Sequence, residues 1–206
     1  MTPRGAAQER LGVLGGTFDP VHLGHLILAE TAREQAALGR VLFVPAGRPW
    51  RKAGRQIAPA EHRLQMLRLA TADNPAFAVS TIELYRQGPS YTAETLAALK
   101  AEHPEAALFF ILGEDALADL PNWREPERIR ELATLLVARR ARTERSPESG
   151  GGAPPGTDER LTWLEMPLIE ISATDIRQRA RRGGSARYLV PDAVEAYIRE
   201  TGLYVK

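Results

Sequence analysis

Apolar residues in this chain fall into short unbroken runs, separated by longer stretches where they recur every three or four positions. A run of four to six residues that is apolar on both faces is the pattern of a strand buried between two layers. Such runs predict strands over 11–14, 41–44, 77–82, 107–112 and 134–138, with one more over 161–166. The stretches between them predict helices over 22–38, 60–72, 92–103 and 125–132, and two closing helices over 174–182 and 191–201. In the first helix Leu26, Ala29, Ala32 and Ala36 recur at helical spacing. Strand and helix alternate throughout. The expectation is an α/β fold of Rossmann-like, doubly wound type: a mostly parallel sheet with helices on both faces and a small helical portion at the C-terminal end.

One stretch breaks the alternation. Residues 142–160 carry a Ser, Pro and Gly-rich core at 146–156 that is too poor in apolar groups to be ordered by packing, so a flexible surface loop is expected there. At 206 residues the chain is long enough for one sizeable core, and a single domain over 1–206 is the expectation.

Charge and composition narrow the function classes. Lys and Arg number 27 against 26 Asp and Glu, so the net charge is +1, without the broad basic field that a nucleic-acid binder uses to displace counterions. Cysteine is absent, which removes disulfides, thiolate metal sites and a cysteine nucleophile. No apolar stretch approaches the roughly 18 residues of a membrane span, and the first ten residues show no apolar leader. A cytoplasmic protein with no nucleic-acid or membrane partner is expected.

The candidate chemistry begins at Gly15-Gly16-Thr17-Phe18-Asp19-Pro20-Val21-His22-Leu23-Gly24-His25. In a doubly wound sheet, ligands sit beyond the carboxyl ends of the strands, and the first strand-to-helix turn is the usual phosphate cradle. Gly15 and Gly16 would let the backbone approach an anion, with the N–H groups of Gly16, Thr17 and Phe18 directed at it. His22 and His25, three residues apart on a helix, would share a face, with Gly24 between them leaving room for a ligand. Neither the dinucleotide fingerprint nor a P-loop is present. Asp19-Pro20 reads equally as a helix cap followed by a first-turn proline. Zinc ligation by the two histidines is an alternative, although His62 and His103 are the only others and neither adds ligand spacing. Gly113 and Asp115 end the fourth strand at the ligand edge, where the Asp115 carboxylate suits ribose hydroxyls or a helix cap.

The eleven-residue string resembles the GGxFDPxHxGH signature of the nucleotidyltransferase superfamily. Within it, the chain from Leu11 to Tyr204 is similar to the bacterial nicotinate mononucleotide adenylyltransferases. The supporting segments are Pro89-Ser90-Tyr91-Thr92-Ala93-Glu94-Thr95-Leu96, Gly113-Glu114-Asp115, Pro121-Asn122-Trp123 and Ile171-Ser172-Ala173-Thr174-Asp175-Ile176-Arg177. The resemblance implies that ATP and nicotinate mononucleotide give the deamido dinucleotide and pyrophosphate, a late step in making NAD. It implies that His22 and His25 contact the ATP phosphates, with His25 at the α-phosphate, and that Ser172, Thr174 and Arg177 form the opposite wall. Ser172 with Asp175 is also a capping box, a reading compatible with a phosphate site. Trp123 matches the tryptophan that stacks on the pyridine ring, and backbone N–H groups at Tyr91, Thr92 and Arg124 match those holding its carboxylate. Magnesium is expected to arrive with ATP, held mainly by phosphates and water.

The chain departs from the family where many relatives carry Pro-Pro-His-Lys; here Arg48-Pro49-Trp50-Arg51-Lys52 stands. Lys52 keeps a cation for the mononucleotide phosphate, and 46–55 is expected to form a lid. The alternatives are nicotinamide mononucleotide or phosphopantetheine as acceptor, and a nucleotide-binding regulator without catalysis.

Overall fold

Successive residues of a strand face opposite ways, so an unbroken apolar run requires cover on both sides. The computed structural model, which describes residues 8–48, 57–139 and 160–205, provides it. Six strands, β1 (Arg10–Gly16), β2 (Arg40–Pro45), β3 (Phe77–Val79), β4 (Ala107–Gly113), β5 (Ala133–Ala138) and β6 (Leu161–Leu164), form one sheet in the order β3-β2-β1-β4-β5-β6. Every neighbouring pair is parallel. The helices among the described residues are α1 (Leu23–Gln35), α2 (Ala60–Thr71), α3 (Thr92–Glu102), α4 (Glu114–Asp119), α5 (Pro126–Leu132), α6 (Ala173–Arg181) and α7 (Asp192–Thr201).

Two cores result. On one face Leu14, Val41, Phe43, Ile111 and Leu136 meet Ala29 and Ala32 of α1, Met66 and Leu67 of α2, Ile176 of α6, and Val194 and Ile198 of α7. On the other, Leu11, Val13, Leu42, Val44, Phe110, Leu135 and Val137 meet Leu96 and Leu99 of α3 and Ile129 of α5. At about 1.5–3 kcal/mol for each large side chain removed from water, these two layers are the main favourable term in folding.

The sheet forks at one place. The last pairing of β1 with β4 is Leu14 with Ile111. Beyond it, Gly15 and Gly16 pair only with Val44 and Pro45 of β2, while Leu112 and Gly113 pair with Val137 and Ala138 of β5. Connections leave to β2 on one side and β5 on the other, so the crevice opens at the carboxyl ends of β1 and β4.

Several elements differ from expectation. β3 stops at Val79, short of the expected 82: Ser80 N–H still donates to the Phe43 carbonyl (2.9 Å), then Leu84 N–H turns back to Thr81 O (2.9 Å). The Ser80 hydroxyl accepts from Ile82 N–H, giving the backbone a local alternative to the ladder. α1 ends at Gln35 and not at 38, because Ala37 turns left-handed (φ 46°) and Leu38 N–H caps Arg33 O (2.8 Å). Ala36 and Leu38 keep the apolar rhythm because both are buried in the exit turn. α4 and the 3-10 turn Leu120–Asn122 were not expected, since the acidic Glu114-Asp115 start hides a one-and-a-half-turn helix from a periodicity test. Nearly all of the 142–160 loop lies outside the described residues.

Gly12 sits in β1 where a Cβ would fall 2.8 Å from Leu38 Cδ1, 3.1 Å from Val41 Cγ2 and 3.2 Å from Ile111 Cδ1. Gly12→Ala is therefore expected to lower unfolding free energy by roughly 1–3 kcal/mol through overpacking, read from urea denaturation. A change below about 0.5 kcal/mol would mean that this part of the core has slack.

Candidate active site

Gly15 and Gly16 are the last residues of β1, not a separate turn, because both still pair with β2. Gly15 is exposed at the fork, and the nearest atom to a Cβ there is Phe110 Cε2 at 3.8 Å. At Gly16 a Cβ would lie 3.0–3.2 Å from the Phe18 ring. Phe18 takes a left-handed backbone (φ 50°) and its ring is buried, edge-on to His25 at 5.0 Å and tilted against Phe43 at 5.9 Å. That backbone costs on the order of 1–2 kcal/mol, which burying the phenyl ring offsets. The loop from Gly16 to Asp19 is thus plugged into the core by its phenylalanine.

His22 is the N-cap of α1 and His25 its third residue. Their rings stack at 3.6 Å between centres, 26° from parallel. His22 N–H donates to His25 Nδ1 at 3.2 Å, so in neutral His25 the proton sits on Nε2, which becomes the donor. His22 is 8% exposed, and burial pushes its pKa down to about 4. Its Nδ1 is buried without a hydrogen-bond partner among the described residues. His22 is therefore neutral near pH 7, because its charged form would be desolvated. Gly24 does not leave room for a ligand. A Cβ there would lie 3.1 Å from His22 Nδ1, so the His22 ring itself occupies the space.

α6 brings the opposite wall. Ser172 caps it as expected: Asp175 N–H donates to Ser172 Oγ (3.1 Å), and the Ser172 hydroxyl donates to Asp175 Oδ2 (2.7 Å). Arg177 donates through Nη1 to the Asp19 carbonyl (2.7 Å) and through Nη2 to Thr174 Oγ1 (3.3 Å); the same Nη1 is 3.8 Å from Asp19 Oδ2. Asp19 is no helix cap. Its buried carboxylate accepts from the Tyr204 hydroxyl at 2.7 Å and from Ala58 N–H at 3.4 Å. Arg63 of α2, 2% exposed, donates to the carbonyls of Thr17 (2.9 Å) and Ala58 (3.0 Å). Burial pushes its pKa down and the nearby Asp19 carboxylate opposes the shift.

Across the fork, Gly113 is the N-cap of α4 and Asp115 is exposed in its first turn. Phe110, the nearest side chain to Gly15, stands edge-on to Trp123 at 6.2 Å. The half-buried Trp123 indole donates to Asp119 Oδ2 at 2.9 Å. Tyr91 caps α3, Thr92 is its first residue, and the Arg124 guanidinium lies 4.6 Å from the centre of the Tyr91 ring. Ser90 Oγ accepts from Gly47 N–H (3.1 Å) and Arg48 N–H (3.3 Å), tying the loop after β2 to α3. Gly47 is needed there, since a Cβ would sit 2.2 Å from the Glu83 carbonyl oxygen. Lys52, with Trp50 and Arg51, lies outside the described residues. Among the described residues, no three His, Asp or Glu side chains converge as a metal site.

A parallel sheet that forks at the carboxyl ends of its central strands is the frame in which open α/β folds bind their ligands. The cytidylyltransferase-like family model matches residues 13–179, which span this frame from β1 to α6. The chain belongs to the cytidylyltransferase-like family. It is 50% identical, over 95% of its length and 92% of the relative's, to a Thermomicrobium roseum protein named "Probable nicotinate-nucleotide adenylyltransferase". A Roseiflexus relative of the same name is 51% identical over 94% of this chain and 97% of its own. The structure is also similar to Plasmodium falciparum nicotinic acid mononucleotide adenylyltransferase complexed with NaAD, with a TM-score of 0.76 and 16% identity over 95% and 97% of the two chains. At that identity the likeness speaks for the fold.

In this cytidylyltransferase-like site, Asp19, Arg63, Tyr204 and Asp119 were missed as site residues. Arg63 left one signal: it sits in phase with Met66, Leu67 and Ala70, on the apolar face of α2. No helix among the described residues is long and apolar enough to cross a membrane.

The depressed His22 pKa has a consequence for stability. As pH falls below the ordinary value of 6.5, the unfolded chain takes up a proton that folded His22 accepts only near pH 4. Stability is therefore lost on acidification through this window, by about 2 kcal/mol from this group between pH 7 and pH 5. His22→Asn should show a smaller loss than the unaltered protein in urea unfolding at the two pH values. An identical loss in both would mean that His22 is not held neutral by burial.

Proposed function

We propose that this chain transfers the AMP part of ATP to the phosphate of nicotinate mononucleotide, forming nicotinate adenine dinucleotide and releasing pyrophosphate. The observation that carries this reading is the convergence of His25, the Gly15–Phe18 loop and Arg177 at the carboxyl end of β1, in a chain about half identical to proteins named for that activity. An oxygen of the mononucleotide phosphate attacks the α-phosphorus of ATP. The bond from that phosphorus to the bridging oxygen of the β-phosphate breaks, and its electrons leave with pyrophosphate. A phosphomonoester is already largely dianionic at neutral pH, its second pKa being about 6, so no general base is required. The site must hold two anions together and stabilise charge on the leaving group.

The geometry suits that division of labour. Nδ1 of His25 accepts from backbone, so Nε2–H is the donor presented to the α-phosphate. His22, neutral and stacked on His25, fixes that ring and leaves the positive charge to Arg177 and to the magnesium that enters bound to ATP. N–H groups of Gly16, Thr17 and Phe18, together with Ser172 and Thr174 at the start of α6, surround the phosphates. On the β4 side, Trp123 offers the stacking plane for the cationic pyridine ring, Tyr91, Thr92 and Arg124 offer N–H groups to its carboxylate, and Gly113 and Asp115 meet the ribose. Lys52 is assigned to the mononucleotide phosphate. Retention of both His25 and Arg177 is more than a nucleotide-sensing regulator needs.

Pyrophosphate release from MgATP, with nicotinate and nicotinamide mononucleotides offered separately, tests the reading. Fast release with the acid and slow release with the amide is expected; fast release with the amide alone would reassign the acceptor, and release with neither would remove the activity. His25→Ala should lower kcat by roughly a hundredfold or more with the fold intact, as loss of one transition-state donor does. Trp123→Ala should raise KM for the mononucleotide by roughly tenfold, about 1.4 kcal/mol of stacking, and an unchanged KM would return the indole to a packing role.

A further inference from the structure

The structure places the last turn of the chain against the first loop. After α7 the backbone reverses at Gly202 (φ 62°), and Tyr204 then takes a left-handed conformation (φ 72°) that non-glycine residues rarely adopt. What that conformation secures is a single contact at the site: the Tyr204 hydroxyl donates to Asp19 Oδ1 at 2.7 Å, 185 residues away in sequence. The ring packs on the same core as Phe18 and Val21. Burial, with the Asp19 charge adding to it, drives the Tyr204 pKa far up, so the phenol stays a donor throughout the working range.

Asp19 in turn is the seat of Arg177. Its carbonyl receives Arg177 Nη1 at 2.7 Å and its carboxylate lies 3.8 Å from that nitrogen. Arg63 holds the same loop from behind, through Thr17 and Ala58. The guanidinium assigned to the ATP phosphates is therefore aimed by a loop whose buried carboxylate is itself fixed by the tail.

We propose that Tyr204 is a positioning residue for phosphate binding and transfer: through Asp19 it sets the orientation of Arg177, so the C-terminal segment is a strut of the active site. This rests on the assignment of Arg177 to the ATP phosphates. Arg177 holds a triphosphate productively only if its fork points at the phosphates, and an arginine freed to rotate still carries its charge but loses alignment. Tyr204→Phe removes one hydroxyl and leaves the ring to pack.

A double-mutant cycle separates this role from a merely structural one. Tyr204→Phe should lower kcat for pyrophosphate release roughly tenfold, with the mononucleotide KM within about twofold and the melting temperature within a few degrees. Arg177→Ala should lower kcat more, and adding Tyr204→Phe to it should cost nothing further. Multiplied losses in the double variant, or a kcat for Tyr204→Phe within twofold of the unaltered protein, would overturn the strut. The same cycle read on the Kd of MgATP without acceptor keeps the two readings apart. If the unaltered protein shows no turnover with nicotinate mononucleotide, the proposed reaction fails. The strut then stands if Tyr204→Phe weakens ATP binding only when Arg177 is present, and falls if it does not.

Discussion

β1 and β4 part after Leu14 and Ile111, and the arrangement of the site follows from that parting. Up to that level each strand of the sheet interior finds hydrogen-bond partners on both sides. Beyond it, β1 keeps β2 alone, and the loop that continues it must satisfy its backbone in another way, because buried carbonyls left unpaired are costly. Arginines from two helices supply the donors. Arg63 of α2 takes the Thr17 carbonyl and Arg177 of α6 takes that of Asp19, so side chains stand where a neighbouring strand would have been. Asp19 sets one negative charge near the two guanidiniums, which is why a carboxylate 4% exposed is tolerable at that point. A loop anchored from behind by helix-borne arginines leaves its front to the crevice.

The same economy of charge governs the histidines. Two imidazoles stacked at 3.6 Å at a helix N-terminus could not both be protonated near neutrality without repelling each other and the helix dipole. Burial holds His22 neutral by pushing its pKa down to about 4. His22 therefore acts as a flat support for His25, and the backbone N–H of the same residue fixes the His25 tautomer. In the proposed reading, positive charge at the phosphates is left to the Arg177 guanidinium, which reaches the same loop through Asp19.

How much of this could be read from the chain depended on whether the signal was local. The strands of the sheet interior were readable because burial on both faces leaves an unbroken apolar run, and Leu11–Leu14 or Ala107–Leu112 admits little else. The Ser172 cap was readable for the same reason: donor and acceptor are three residues apart. β3 was overextended because Ser80 diverts the backbone into a turn while the residues keep a strand-like composition. α4 was lost because a short helix that opens on two acids shows no apolar stripe. Within the signature string, several contacts differ from those the residue types suggested. Gly24 makes room for His22 and not for ligand, Gly16 makes room for Phe18, and Asp19 is a buried acceptor and not a cap. These contacts depend on ring orientations and on partners 39 to 185 residues away, which no spacing rule reports.

The cytidylyltransferase-like family model covers residues 13–179 and stops within α6, yet the contacts around Asp19 do not stop there. α7 packs Val194 and Ile198 into the same core as Phe18, and the turn at Gly202 returns Tyr204 to the loop that carries the histidines. Two residues beyond the Gly202 cap of α7, a left-handed backbone costs a tyrosine more than it would a glycine. The conformation brings the ring onto the core and the hydroxyl to Asp19. The cluster around Asp19 is therefore assembled from distant parts of the chain: the β1 loop, α6, and a tail beyond the matched region. On the β4 side, Phe110 lies between Gly15 and Trp123, whose indole is held by Asp119. In the proposed reading, residues on the acceptor side can therefore vary without disturbing the contacts that hold Asp19 on the phosphate side.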